Sequence, residues 1–117
     1  MPNINVSKLN GNKTSLLLKN SDCICLYHWK HCGHCISLLP LWKKFSKKYS
    51  SKLNIISIEL DNIKEIDNKF TKNIMAFPSI IIYINGKKFS EFKEQRTMDN
   101  LENFIKPILP SSKKTIK

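Results

Sequence analysis

Ile24-Cys25-Leu26-Tyr27-His28-Trp29, running on through Lys30-His31 into Cys32-Gly33-His34-Cys35, is the stretch whose reading decides the fold. Its first six residues are an apolar run suited to a buried strand, and the residues after Cys35 take up helical periodicity. A strand that hands two thiols to a helix start places the first sulfur among unpaired backbone N–H groups. The positive end of the helix dipole then favours thiolate over thiol. Such a thiolate is a nucleophile at neutral pH, and the second cysteine is close enough to close a reversible disulfide. These residues therefore imply thiol–disulfide exchange.

Working outward, residues 22–29 read as the first strand. The next helix runs from Cys35 to about Tyr49, because Leu38, Trp42, Phe45 and Tyr49 recur at intervals of four, three and four, with Lys43, Lys44, Lys47 and Lys48 on the other face. Pro40 falls inside it, deletes one backbone bond and is expected to kink it. Residues 54–60 are mostly apolar and read as a second strand buried on both faces. A modest helix over 62–70 would present Ile63, Ile66 and Phe70. Ala76-Phe77-Pro78-Ser79 breaks the chain before the β-branched run Ile80 to Ile84, and Asn85-Gly86 is a two-residue hairpin signal. The return strand, Lys87 to Phe92, is expected to point Phe89 one way and Lys88 and Ser90 the other. A last helix near 98–106 carries Leu101, Phe104 and Ile105. Before all of this stands a weaker N-terminal piece, in which Thr14 could cap a short helical segment. The order β–α–β–α–β–β–α predicts an α/β fold with a mixed central sheet and helices on both faces. Strands joined by helices should be parallel, and the hairpin should add one antiparallel edge strand.

The chain has 117 residues, which is one domain with a core of its own. We expect the folded domain over 1–107, its best-defined core over 22–106, and a basic tail over 108–117. No segment approaches the roughly 20 apolar residues of a membrane span. The start lacks a secretory pattern and the end lacks an ER-retention tetrapeptide, so the expected location is cytoplasmic. Net charge is +11, and Arg96 is the lone arginine. Specific nucleic-acid readers mix in arginine for bidentate contacts. Lysine with abundant Asn and Ile instead reflects A/T-rich codons, so no specific nucleic-acid partner is implied.

The four cysteines, at 23, 25, 32 and 35, lie too close together for a disulfide-stapled scaffold. Cys23 and Cys25 share a strand face and read as core thiols. A sharper alternative gathers all four, with His28, His31 and His34 nearby, around a structural zinc ion. However, C-x-C and C-x-x-C at opposite ends of a strand and turn do not readily converge on one tetrahedron. The expected metal is none.

Taken together, Cys32-Gly33-His34-Cys35, Pro40 five residues on, Trp42, Phe77-Pro78-Ser79 before a buried strand, Asn85-Gly86 and Arg96-Thr97 before the last helix resemble the thioredoxin superfamily. The likeness is greatest to the catalytic domain type of protein disulfide isomerases. It implies Cys32 as nucleophile and Cys35 as resolving thiol, with no cofactor, since the sulfurs carry the electrons. It further implies Pro78 as a cis-proline facing the dithiol, Phe77 and Trp29 as substrate-binding, and Gly33, His34, His31 and Arg96 as tuning the redox pair. A thiolate stabilised by His34, with Lys30 and His31 pushing the same way, moves the disulfide toward roughly −180 mV and away from the −270 mV of a thioredoxin. Partners would be protein thiols or disulfides and a redox partner, with the chain a monomer. Three positions depart from the family pattern. Leu26 stands where a buried carboxylate is usual, His31 where tryptophan is, and Gln95 where glycine is. The competing function classes are a redox-inactive binding module docking through the basic surface and a small zinc-binding domain. A motif that suits oxidation, in a chain expected in a reducing compartment, is reconciled by a parasite or large DNA virus that forms disulfides in cytoplasmic assemblies.

Overall fold

The structure is a computed structural model and describes residues 3–110. In chain order it contains β1 (Asn3–Asn5), α1 (Gly11–Asn20), β2 (Asp22–His28), α2 (Gly33–Tyr49), β3 (Asn54–Glu59), β4 (Ser79–Ile84), β5 (Lys87–Glu91) and α3 (Met98–Ile105). Short 3-10 turns occupy Leu60–Glu65, Asn68–Phe70 and Lys106–Ile108. The five strands form one sheet in the order β1-β3-β2-β4-β5. This is the mixed, helix-flanked α/β sheet of a thioredoxin-like fold.

Strand β2 is central and its side chains alternate between two cores. Ile24 and Leu26 join Leu38, Trp42 and Phe45 of α2 and Leu101 and Ile105 of α3. Cys23, Cys25 and Tyr27 join Leu18 of α1, Ile56, Phe70 and Tyr83 on the other face. The Trp42 indole N–H donates to Ser57 Oγ at 2.9 Å, so α2 is fixed to the sheet by a buried polar bond as well as by packing.

The sheet corrects one expectation about direction. Strands β1, β3 and β2 are parallel, but β4 is antiparallel to β2. It is therefore β4 that runs against the rest, while β5, antiparallel to β4, runs with them. The physical reason lies in residues 60–78. The expected helix over 62–70 is two 3-10 turns separated at Ile66 and Asp67. The Glu59 and Asp67 side chains accept Asp61 N–H and Lys69 N–H at 2.6 and 3.0 Å, starting each turn separately. Asp67 pairs with Lys19 of α1 at 2.8 Å and Lys69 reaches Gly86 of the hairpin, so the chain runs out along α1 and back, and enters β4 at the C-terminal ends of β2 and β3.

Three smaller differences have local causes. Helix α1 begins at Gly11 and not at Thr14, and its first residue packs so tightly that a Cβ there would lie 2.2 Å from the Glu65 carbonyl oxygen. Only glycine lets the helix start touch that turn. In the hairpin, Asn85 (φ 49°) and Gly86 (φ 85°) adopt the left-handed conformations of a tight turn. Beyond it, Ser90 pairs with Ile82 but Lys88 pairs with Tyr83, which leaves Phe89 as an extra residue. That bulge places Lys88 and Ser90 on opposite faces, contrary to simple alternation. The packed chain also continues to Ile108 and Leu109, past residue 107. The rest of the basic tail, 111–117, lies outside the described residues.

Gly11→Ala is expected to lower stability by about 1–3 kcal/mol, the range for forcing atoms into filled space. Gly33→Ala, where a Cβ meets nothing within 4 Å, should leave it unchanged or raise it. Urea midpoints of the two variants against the parent check both.

Candidate active site

Reversal of β4 assembles the site. The register pairs Tyr27 with Ser79 and Leu26 with Ile80, so the beginning of β4 lies at the end of β2. A parallel β4 would have put Phe77 and Pro78 a strand's length away, roughly 20 Å. Instead the Cys32 thiol donates to the Phe77 carbonyl at 3.5 Å, and the Phe77–Pro78 peptide is cis. The structure therefore brings together Cys32, Cys35, Phe77 and Pro78 from two elements 45 residues apart in sequence.

Cys32 is the N-cap of α2, and its sulfur accepts the Cys35 backbone N–H at 3.3 Å. Helix N-caps are usually Ser, Thr, Asp or Asn, whose oxygens make that bond. Here a sulfur makes it. The two thiols are unlike. Cys32 is partly exposed, whereas Cys35 is 1 % exposed. The Cys32 thiol is held below the ordinary thiol range, first by a hydrogen bond from the Cys35 thiol and next by the Cys35 N–H. The His34 N–H and, last, the Arg96 charge act in the same direction, and partial burial opposes them. Burial pushes the Cys35 thiol up to about 11, and the neighbouring Cys32 sulfur adds to the rise. The Trp29 N–H and the Arg96 charge pull it the other way. The result is a partly exposed thiol biased toward thiolate beside a buried one biased toward thiol.

The flanking residues are placed differently from expectation. The His34 side chain is exposed, and its influence on Cys32 runs through its backbone N–H. Lys30 is tied to Asp61 in an exposed ion pair at 2.8 Å, so its charge does not serve the dithiol. The His31 ring stands edge-on to Trp29 at 5.3 Å, and its charge acts on Asp61. Arg96 is exposed and contributes the smallest share at both cysteines. Gly33 opens α2 with empty space at its Cβ position. Leu26 is fully buried, and its cross-strand neighbour is Ser57, already engaged by Trp42. The sheet beneath the dithiol thus offers neutral side chains there.

Glu59 is a residue that the sequence reading passed over. Its carboxylate accepts both the Lys30 N–H at 2.7 Å and the Asp61 N–H at 2.6 Å, which ties the end of β3 to the loop before Cys32. The sequence signal was Glu two residues before Asp at a strand end, a capping pattern. Cys23 and Cys25 face the α1 side of the sheet, away from α2. Burial raises the Cys23 thiol to about 12 and Cys25 further still, and the Cys23 thiol donates to the Leu17 carbonyl at 3.6 Å. These are packed thiols. Among the described residues no cluster of three or more His, Cys, Asp or Glu is arranged around a common point.

Alkylation by iodoacetamide against pH should show Cys32 reacting with an inflection below the unperturbed ~8.5, with Cys23 and Cys25 inert until the protein is unfolded. His34→Gln should leave that inflection nearly in place, since a backbone N–H carries the effect. A large upward move in His34→Gln would return the tuning role to the imidazole.

A family model described as Thioredoxin matches residues 5–107. Uncharacterized protein 196R of Invertebrate iridescent virus 6 is 29 % identical over 93 residues, covering 78 % of this chain and 53 % of the viral protein. Protein disulfide-isomerase like 2-2 of Arabidopsis thaliana is 24 % identical over 92 residues, covering 79 % of this chain and 20 % of the plant protein. The chain therefore spans about half of the one and a fifth of the other. Among solved structures, the J-Trx1 fragment of ERdj5 superposes with a TM-score of 0.70 at 19 % identity, over 86 % of this chain and 48 % of that one, a likeness of fold. With the family model covering nearly the whole of it, the chain belongs to the thioredoxin family.

Proposed function

We propose that the protein is a thiol–disulfide oxidoreductase acting on protein clients through a mixed disulfide at Cys32. The observation that carries this reading is the asymmetry of the pair. Cys32 is exposed and favoured as thiolate at the start of α2, while Cys35 is buried and kept as thiol at neutral pH. In the oxidative direction a client thiolate attacks the Cys32 sulfur of the Cys32–Cys35 disulfide, and Cys35 leaves with a proton. A second client thiolate then attacks the client sulfur and expels Cys32. The client gains a disulfide and the protein becomes a dithiol. Reduction is the same path reversed.

The balance of direction follows from the same electrostatics. Whatever favours the Cys32 thiolate stabilises the reduced protein and makes its disulfide a stronger oxidant. Hydrogen bonds from Cys35 and from the His34 backbone act this way. The site therefore suits oxidation or isomerisation better than reduction. Client binding would use the Phe77 backbone and Pro78 together with the exposed apolar side chains nearby. Ile36 follows Cys35 directly and is 55 % exposed, and Met75, two residues before Phe77, is 90 % exposed. The relatives named as protein disulfide isomerases support this client class.

Cys35→Ser should accumulate clients as mixed disulfides on non-reducing gels, and Cys32→Ser should trap none. The parent protein should accelerate the reductive precipitation of insulin by dithiothreitol. Equal trapping by both variants would bring Cys23 or Cys25 into the chemistry. No acceleration and no trapping would leave a thioredoxin-fold binding module.

A further inference from the structure

Resolution of the mixed disulfide poses a proton problem at Cys35. Its thiol, raised to about 11, must lose a proton as it attacks the Cys32 sulfur. Leu26 and Ser57, the paired residues of β2 and β3 beneath α2, cannot take it. One position further along the same face of β2 stands His28. Alternation along the strand puts Ile24, Leu26 and His28 on the α2 side, opposite Cys23, Cys25 and Tyr27. The Trp29 N–H, on the peptide that follows His28, acts on the Cys35 thiol and favours its ionised form. His28 also lines a cleft of about 380 Å³ with Leu39, one turn after Cys35, and with Trp42, Ser46 and Ser57. Asn3, Asn5 and Ser50 also line that cleft, so the wall is polar enough to hold water.

We propose that His28 is the proton acceptor for Cys35, taking over through the water-accessible cleft the part that Leu26 cannot play. The inference rests on the oxidoreductase reading above. The step balances. Cys35 sulfur bonds to Cys32 sulfur, the Cys32–client S–S bond breaks, and the client leaves as thiolate. The Cys35 proton passes by way of water to an imidazole nitrogen of His28, and the imidazolium then releases it to solvent. The sulfur pair of the protein is oxidised and the client is reduced, with no further redox partner in this step.

The surroundings of His28 keep the imidazole ready. Partial burial lowers its basicity below the ordinary histidine value, so the neutral form prevails at pH 7. The opposing charge is Glu59, its cross-strand neighbour on β3, which is itself held by two backbone N–H groups. From α2, Lys43 and Lys47 line the same cleft, with Cys35 in the first turn of that helix one turn before Leu39, while β1 contributes Asn3 and Asn5. Further out, the Lys30–Asp61 pair is mutually neutralised.

The test uses the reduced protein and dithiobisnitrobenzoate in a stopped-flow instrument. A first equivalent of thionitrobenzoate reports attack by Cys32, and a second reports resolution by Cys35. In the parent, the second phase should rise with pH and level off above the lowered histidine value. In His28→Phe it should be slower by about tenfold or more at pH 7, the low end for a lost proton acceptor. It should then keep climbing with pH until the gap closes as Cys35 ionises unaided. His28→Gln, which preserves polarity, should behave as His28→Phe, and free imidazole should restore the second phase in His28→Ala. An unchanged second-phase profile in His28→Phe and His28→Gln overturns the proposal, as does a loss that is the same at every pH. If thionitrobenzoate is released in one phase only, with no intramolecular disulfide formed, the oxidoreductase reading itself fails.

Discussion

The bond between the Cys35 backbone N–H and the Cys32 sulfur is the contact on which the site depends. A helix start leaves four N–H groups without partners, and something must accept from them. In this chain the acceptor is the atom we propose as nucleophile, so the requirement for capping and the requirement for a reactive thiolate would be met by one sulfur. Negative charge on that sulfur strengthens the cap and completes it electrostatically. The helix, in turn, holds the sulfur in place through Leu38, Trp42 and Phe45 against the sheet. Stability and reactivity at this position are the same interaction seen from its two ends.

Placement of the second half of the site depends on the sheet. Phe77 and Pro78 reach Cys32 because residues 60–78 run out along α1, as far as the β4–β5 hairpin where Lys69 nears Gly86, and return to the end of the sheet where β2 and β3 finish. Two short 3-10 turns, each begun by a carboxylate side chain, shape the outward run. Tyr27 reinforces the arrangement from the opposite face. Its hydroxyl donates to the Phe70 carbonyl at 2.7 Å and lies 2.8 Å from the Tyr83 hydroxyl, tying β2, β4 and the second turn together.

Much of this was legible in the chain itself. The apolar run before Cys32, the four-three-four spacing of Leu38, Trp42, Phe45 and Tyr49, and Asn85-Gly86 each encode their element locally, and each formed where expected. What was not legible depends on partners distant in sequence. Ile63, Ile66 and Phe70 have helical spacing, but side-chain caps at Glu59 and Asp67 split the segment, and the direction of β4 is set by its pairing with β2, more than 50 residues earlier. The Phe89 bulge could not be read from alternation, because alternation presumes an unbroken ladder. Lys30 and His31 looked like neighbours of the dithiol from their positions in sequence. Asp61 and Trp29, brought in by folding, engage them instead. His28 stood out in the sequence only as one more imidazole. Its place on the α2 face of β2 became visible once the strand had two sides.

The bulge at Phe89 also has a bearing on what the protein can safely hold. A domain acting on the client class proposed above would offer partly unfolded chains two places to settle, the reactive end and any bare strand margin with unpaired amides. Here one margin is the three-residue β1, too short to template much. The other, β5, is interrupted by its extra residue and carries Lys87 and Lys88, with Lys93 just beyond. A flexible polypeptide laid along it would lose register at the interruption and gain nothing from the crowd of ammonium groups. The margins therefore resist zippering, which would leave a client of the proposed kind only the sulfur to settle on.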